Sequence, residues 1–219
     1  GMTIMVGGFL ATGSPELLMD ALVRKGVKHL TVIANDGGLD AGQPAGEFGA
    51  KTARGVGKLL EHHMVDHIIA SHLGVNPKLN EQFAEGLGWL LETSLAAAKK
   101  RHLLNRGFLN APFSPIYGLG GVLTPTGVGT PMETEVDELG REKKVVEIEG
   151  KKYLLELPLR ADYAFIRPSV ADKFGNYYCS KATKNFNYVM AGAADKTIIA
   201  PEKIVEVGEI DPDMFAVAG

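Results

Sequence analysis

Cysteine is almost absent from this sequence. Cys179 stands alone, so no disulfide can form within the chain, and a reducing, cytoplasmic setting is expected. Long apolar runs are missing too: no stretch of about 18 apolar residues occurs, so no helical membrane span is expected. Residues 1–6 carry no positive stretch ahead of their short apolar run, so they do not read as a secretory signal. Neither sign of charge dominates. The 23 Lys and Arg against 26 Asp and Glu leave a net charge of −3, and no nucleic-acid partner is expected. Internal repeats and low-complexity tracts are lacking. What remains is ordinary globular usage, 45% hydrophobic and 22% charged, and residues 1–219 read as a single domain.

The N-terminal third alternates strand and helix signals. Residues 3–6 are a short apolar run, followed by the glycine turn Gly7, Gly8, Phe9, Leu10, Ala11, Thr12 and Gly13. A helix then starts, with Ser14 as the expected cap, Pro15 at the first helical position and Glu16 at the positive helix end. Leu17, Leu18, Ala21, Leu22 and Val23 form its expected apolar face, and Gly26 its stop. Residues 29–34 are the next strand, which makes a βαβ unit and implies a parallel sheet. Beyond it the pattern predicts a loop over 36–49, a helix over 51–63, a strand over 67–70, a polar loop over 71–80 and a helix over 81–101. Residues 105–129 are rich in Gly and Pro and read as turns. Two strands flanking Glu149-Gly150-Lys151 form a predicted hairpin. Further strands are expected over 161–166, 176–180 and 197–200, with a helix over 187–194. The expected fold is an open, mostly parallel α/β sheet flanked by helices, with an inserted β-hairpin.

Three segments stand out chemically. In the turn from Gly7 to Gly13, backbone N–H groups can face an anion or a polar ligand at a helix start. It matches neither GxGxxG nor a P-loop, and a ligand-free strand-to-helix turn is an equal reading. Gly118 to Thr130, with Gly118, Gly120, Gly121, Gly127 and Gly129, is the second; its Thr124 to Thr130 part allows close backbone approach to a ligand or a neighbouring chain, and a flexible connector is an equal reading. At the helix entry Asn185-Phe186-Asn187, an asparagine can cap a helix or hydrogen-bond a carbonyl, and capping by Asn185 or Asn187 is the simpler reading. His62, His63 and His67 lack metal-ligand spacing, and Cys179 reads as an inert core thiol. Glu156 is the best carboxylate for a nucleophile, although pairing with Arg160 or a lysine is the simpler account. On these residues alone the chain grips a ligand without an evident catalytic group.

The run Gly1-Met2-Thr3-Ile4-Met5-Val6-Gly7-Gly8-Phe9 followed by Gly13-Ser14-Pro15 resembles the alpha-subunit signature of family I CoA-transferases. Matches continue in order at Ile33-Ala34-Asn35-Asp36, Ala70-Ser71-His72-Leu73-Gly74, Thr124 to Thr130, Leu154-Leu155-Glu156, Arg160-Ala161-Asp162, Gly175-Asn176 and Asn185-Phe186-Asn187. The acetate/butyrate–acetoacetate type is the nearest in look. The resemblance implies a sugar-phosphate-isomerase-like open α/β fold and a beta-subunit partner, usually in an α2β2 assembly. It implies that the catalytic glutamate lies on that partner and passes CoA through a glutamyl-CoA thioester, with no catalytic residue and no metal in this chain. It assigns coenzyme A binding to Gly7, Gly8, Phe9, Leu10, Ala11, Thr12 and Gly13. Two departures accompany it. Ala11 stands where a third glycine is frequent, and residues 86–117 lack the glutamine of the usual Pro-Gln-Gly-Thr stretch. A non-catalytic sugar-phosphate or CoA sensor and a sugar-phosphate isomerase of the same fold are the rival readings.

Overall fold

The computed structural model describes residues 1–42, 51–72, 74–85, 120–130, 133–134 and 142–219. A five-stranded sheet forms its centre. It is built from β1 (Thr3–Val6), β2 (Leu30–Asp36), β3 (Val65–His72), β7 (Ala161–Ile166) and β10 (Ala194–Ile199), in the order β10-β7-β1-β2-β3. All four pairings are parallel, so the mostly parallel α/β expectation is borne out. Strand alternation explains why both faces are covered. Ile4 and Val6 point into one apolar cluster with Val32, Met19 and Leu59, whereas Met5 and Ile33 point into the other with Ala164, Val189 and Met190.

Helix α1 (Glu16–Lys25) joins β1 to β2 and ends at Gly26, which adopts the left-handed conformation (φ 66°) and donates to Leu22 O and Val23 O. Its start differs from expectation. Pro15, not Ser14, takes the cap position, and no side chain caps the helix. Its buried face also differs: Leu17 is 70% exposed and Met19 is fully buried, a side chain whose burial is worth about 1.5–3 kcal/mol.

The helix expected over 51–63 is only α2 (Gly57–Glu61), because residues 39 and 54 pair as an isolated bridge ahead of it. The loop expected over 71–80 is corrected: β3 runs through His72, and α3 (Pro77–Ala84) begins inside it. Asn76 caps α3, its side chain accepting from Leu79 N at 3.2 Å, and Pro77 occupies the first turn. Only the first residues of the helix expected over 81–101 are described. The divergent segment 86–117 lies outside the described residues.

The hairpin forms as predicted, with β5 (Lys144–Ile148) and β6 (Lys151–Glu156) joined by Glu149 (φ 49°) and Gly150 (φ 75°). A strand not expected from sequence, β4 (Val122–Thr124), pairs with β6 to complete a small antiparallel sheet. A second small sheet, β11-β8-β9, uses β8 (Val170–Asp172), β9 (Tyr177–Tyr178) and β11 (Lys203–Val205). The two-residue β9 falls within the strand expected over 176–180, whereas β8 and β11, three residues each, are too short for any periodicity to reveal. Helix α4 (Asn187–Ala191) packs against β7, β1 and β10. Among the described residues, no helix is long and apolar enough to cross a membrane.

Candidate functional site

The glycine turn leaves the carboxyl end of β1, the middle strand of the sheet, where open α/β folds place ligands. Gly7 N donates to Phe165 O at 2.9 Å, which holds the turn to β7. Phe9 and Thr12 then bond each other twice, at 3.0 and 2.8 Å, closing a four-residue loop. Its middle residues, Leu10 (φ 47°) and Ala11 (φ 64°), both lie in the left-handed region. For a non-glycine residue that conformation costs roughly 1–2 kcal/mol, so something must hold it. The frequent glycine absent at Ala11 is therefore a position under strain, and the alanine methyl is buried there at 3% exposure.

Two clamps hold the loop. On one side Asp36, at the end of β2 and 5% exposed, accepts from Leu10 N at 2.9 Å and from Gly38 N at 2.8 Å. On the other side are Asn185 and Asn187. Asn185 Nδ2 donates to Thr12 O at 2.9 Å. Asn187, fully buried, donates from Nδ2 to Gly13 O at 3.1 Å and to Thr183 O at 3.0 Å, and accepts at Oδ1 from Arg167 N at 3.1 Å. The capping expected at this helix entry is corrected for α4, which neither asparagine side chain caps; Asn185 instead ends the short 3-10 turn Lys181–Lys184, its Nδ2 also donating to Ala182 O at 2.8 Å. The two asparagines tie residues 12–13 to a segment 173 and 174 positions away in sequence. The sequence-level candidates at 7–13 and 185–187 form a single arrangement.

That arrangement presents a defined surface. Gly7, Gly8, Ala11 and Gly13 are buried, while Phe9 and Thr12 are exposed at the rim. The N–H groups of Gly8, Ala11 and Gly13 have no hydrogen-bond partner among the described residues. Behind the turn lies a small recess lined by Gly7, Gly8, Ser14, Asn35, Asp36 and Val56, with room for about one water-sized group. Glycine is required at position 8 (φ 121°), where a Cβ would come 2.5 Å from Ser14 Oγ.

The other candidates fare differently. Thr124 to Thr130 continues from β4 on the small antiparallel sheet, apart from the central sheet that carries the glycine turn. Gly129 N donates to Glu133 Oε1 at 2.7 Å and Thr130 N to Gly127 O at 3.2 Å, so these amides are engaged within the loop. Glu156 pairs with Lys143 at 2.9 Å, both side chains largely buried. The lysine pairing set beside its nucleophile reading is the one that forms. Cys179 is buried, and desolvation raises its thiol to about 11, which fits an inert thiol. No group of three His, Cys, Asp or Glu able to hold a metal occurs among the described residues. Asp36 was missed because it looked like the first residue of a loop. The available signal was Asn35-Asp36-Gly37-Gly38 at a strand end, where an aspartate bonds the backbone two residues on.

Comparison with known proteins bears on this geometry. The family model for Coenzyme A transferase matches residues 1–217. The acetate CoA-transferase subunit alpha of Escherichia coli (strain K12) is 38% identical over 219 residues, which is 100% of this chain and 86% of that protein. The acetoacetyl-CoA:acetate/butyrate CoA transferase alpha subunit of Clostridium acetobutylicum is 37% identical over 219 residues, 100% of this chain and 87% of that one. Among solved structures, glutaconate coenzyme A-transferase from Acidaminococcus fermentans shares the fold, with a TM-score of 0.69 at 16% identity, over 99% of this chain and 67% of that chain.

Proposed function

The chain belongs to the coenzyme A transferase family as an alpha-type subunit, and from that premise we propose that it grips acyl-CoA on the Gly7–Gly13 turn while a beta-type partner supplies the reacting carboxylate. The substrates proposed are a short-chain acyl-CoA (acetyl, butyryl or acetoacetyl) and an acceptor carboxylic acid, in a cytoplasmic α2β2 assembly. One observation carries the reading: a turn clamped from both sides, whose Gly8, Ala11 and Gly13 N–H groups have no partner among the described residues.

The chemistry divides between the chains. An oxygen of the partner's glutamate attacks the thioester carbonyl, and the CoA thiolate leaves, forming a mixed anhydride. The thiolate then attacks the glutamyl carbonyl and releases the first acid, leaving a glutamyl-CoA thioester that the acceptor acid reverses. Both intermediates hydrolyse in water, so the reaction needs a dry contact between subunits. This chain's part is to fix the CoA arm so that its sulfur stays in reach, which is a positional contribution. Backbone donors held before the substrate arrives need no reorganisation when it does. Among the described residues the fully buried carboxylates are committed elsewhere: Asp36 and Asp172 each accept backbone N–H groups. The sensor reading is not favoured, since the full-length relatives are transferase subunits.

Amide hydrogen exchange of the α–β complex tests the proposal. Adding CoA should slow exchange across residues 7–13, with Gly8, Ala11 and Gly13 changing most. Unchanged exchange there at saturating CoA would remove the turn from the site.

A further inference from the structure

Beyond the seven residues of the turn, Ser14 carries an unused hydrogen-bonding group. It is 5% exposed, yet its hydroxyl has no hydrogen-bond partner among the described residues. The other fully buried hydroxyl among the described residues is engaged: Tyr177 donates to Asn187 O at 3.0 Å. The Ser14 oxygen is not sealed inside the protein, so water or a ligand in the recess can meet it.

The packing makes room for it. A Cβ on Gly8 would come 2.5 Å from Ser14 Oγ, and one on Gly55 would come 2.9 Å from it. Two glycines, from separate segments and both at positive φ, leave space for this one oxygen. Ser14 also lines the recess behind the turn, together with Asn35 and Asp36. It directly precedes Pro15, the cap of the ten-residue helix α1.

The neighbouring charge selects the ligand atom. Asp36 presents a carboxylate to the recess, and its two oxygens already accept from Leu10 N and Gly38 N. A phosphate beside that carboxylate would be repelled at low dielectric. A neutral carbonyl would not, and it needs only the space of about one water. We propose that Ser14 is a further substrate-binding residue, its hydroxyl donating to a neutral carbonyl oxygen of the pantetheine arm of acyl-CoA that enters the recess behind the glycine turn. This rests on the turn being the CoA site, and it extends that site inward to the start of α1.

The test is steady-state transfer by the α–β complex with Ser14→Ala, using acetyl-CoA and the nucleotide-free acetyl-pantetheine. A neutral hydrogen bond made equally in ground and transition states raises KM and leaves kcat alone. The expected rise in KM is about 3- to 10-fold, and by the same factor with both substrates. Ser14→Cys, a weaker donor of similar shape, should fall between; it replaces the alanine variant if that one melts more than a few degrees lower. An unchanged KM in a folded variant overturns the inference, and if CoA still protects residues 7–13 from exchange, the turn itself stands. A penalty seen with acetyl-CoA and absent with acetyl-pantetheine would place the hydroxyl on the nucleotide and refute the pantetheine assignment. A fall in kcat at constant KM would refute it also.

Discussion

Replacing Gly7 by alanine isolates the contact that ties the glycine turn to α4. Gly7 does not sit at positive φ, so alanine meets no backbone strain there. A Cβ at that position would instead overlap Asn187 Oδ1 and come 2.9 Å from its Cγ. Overpacking of that kind costs about 1–3 kcal/mol. Asn187→Ala removes the obstacle but leaves Arg167 N and Gly13 O without their partner. At about 1–3 kcal/mol for each of these two groups left unmet, that change costs roughly 2–6 kcal/mol in total. If the two sites were independent, the double variant would lose the sum. Because the alanine methyl needs the space the asparagine vacates, the double variant should lose little more than Asn187→Ala alone, a coupling of about 1–3 kcal/mol. Urea unfolding of all four proteins at one fixed concentration measures it. For a chain of this size each kcal/mol moves the melting temperature by about 2–4 °C, so thermal melts give a second reading. Strict additivity would refute the packing of Asn187 onto Gly7.

Two other changes bear on the same frame. Asp36→Asn keeps the shape of the side chain but puts an amide N–H against one of two backbone donors. Leu10 should exchange its amide faster and KM for acyl-CoA should rise about tenfold or more, with kcat little changed; an unaltered Leu10 exchange rate would refute the clamp. Asp172 is held below the ordinary carboxylate value chiefly by the side-chain amide of Asn176, with the backbone N–H groups of residues 174–176 helping and burial opposing. A carboxylate with a depressed folded value stabilises above the unfolded value and loses that contribution as pH falls through the folded one. Asp172→Asn should therefore melt lower than the parent at pH 7, and the gap should close below about pH 4; a gap constant from pH 7 to 3 would contradict this.

What the sequence disclosed follows the range of the forces involved. The central strands were legible because buried parallel strands are near-continuous apolar runs, as in Leu30–Asp36 and Ala161–Ile166. The hairpin was legible because a Gly at a two-residue turn needs positive φ. Gly7 to Gly13 could be singled out from its glycines, yet its clamps could not. Asn187 reaches Gly13 across 174 residues, and no local pattern encodes that pairing. A local reading offers asparagine there a cap or a bond to some carbonyl, and cannot say which carbonyl. Asp36 was hidden for a related reason, since strand and loop readings divide where its side chain bonds both. The start of α3 was readable and overlooked: Asn76-Pro77 is a cap followed by proline at a first turn. Ser14 was read as a cap because of its type and place, while the structure turns its hydroxyl to the recess.

The division of labour between two chains is the central claim, and one measurement addresses it. The α–β complex is incubated with acetyl-CoA alone, without acceptor acid, then treated with borohydride and analysed by mass spectrometry chain by chain. Reduction of a glutamyl-CoA thioester to an alcohol lowers the mass of the modified chain by about 14 Da, since the carboxyl oxygen is exchanged for two hydrogens. The account predicts that change on one glutamate of the partner and none on this chain. The same change on a glutamate of this chain would contradict it.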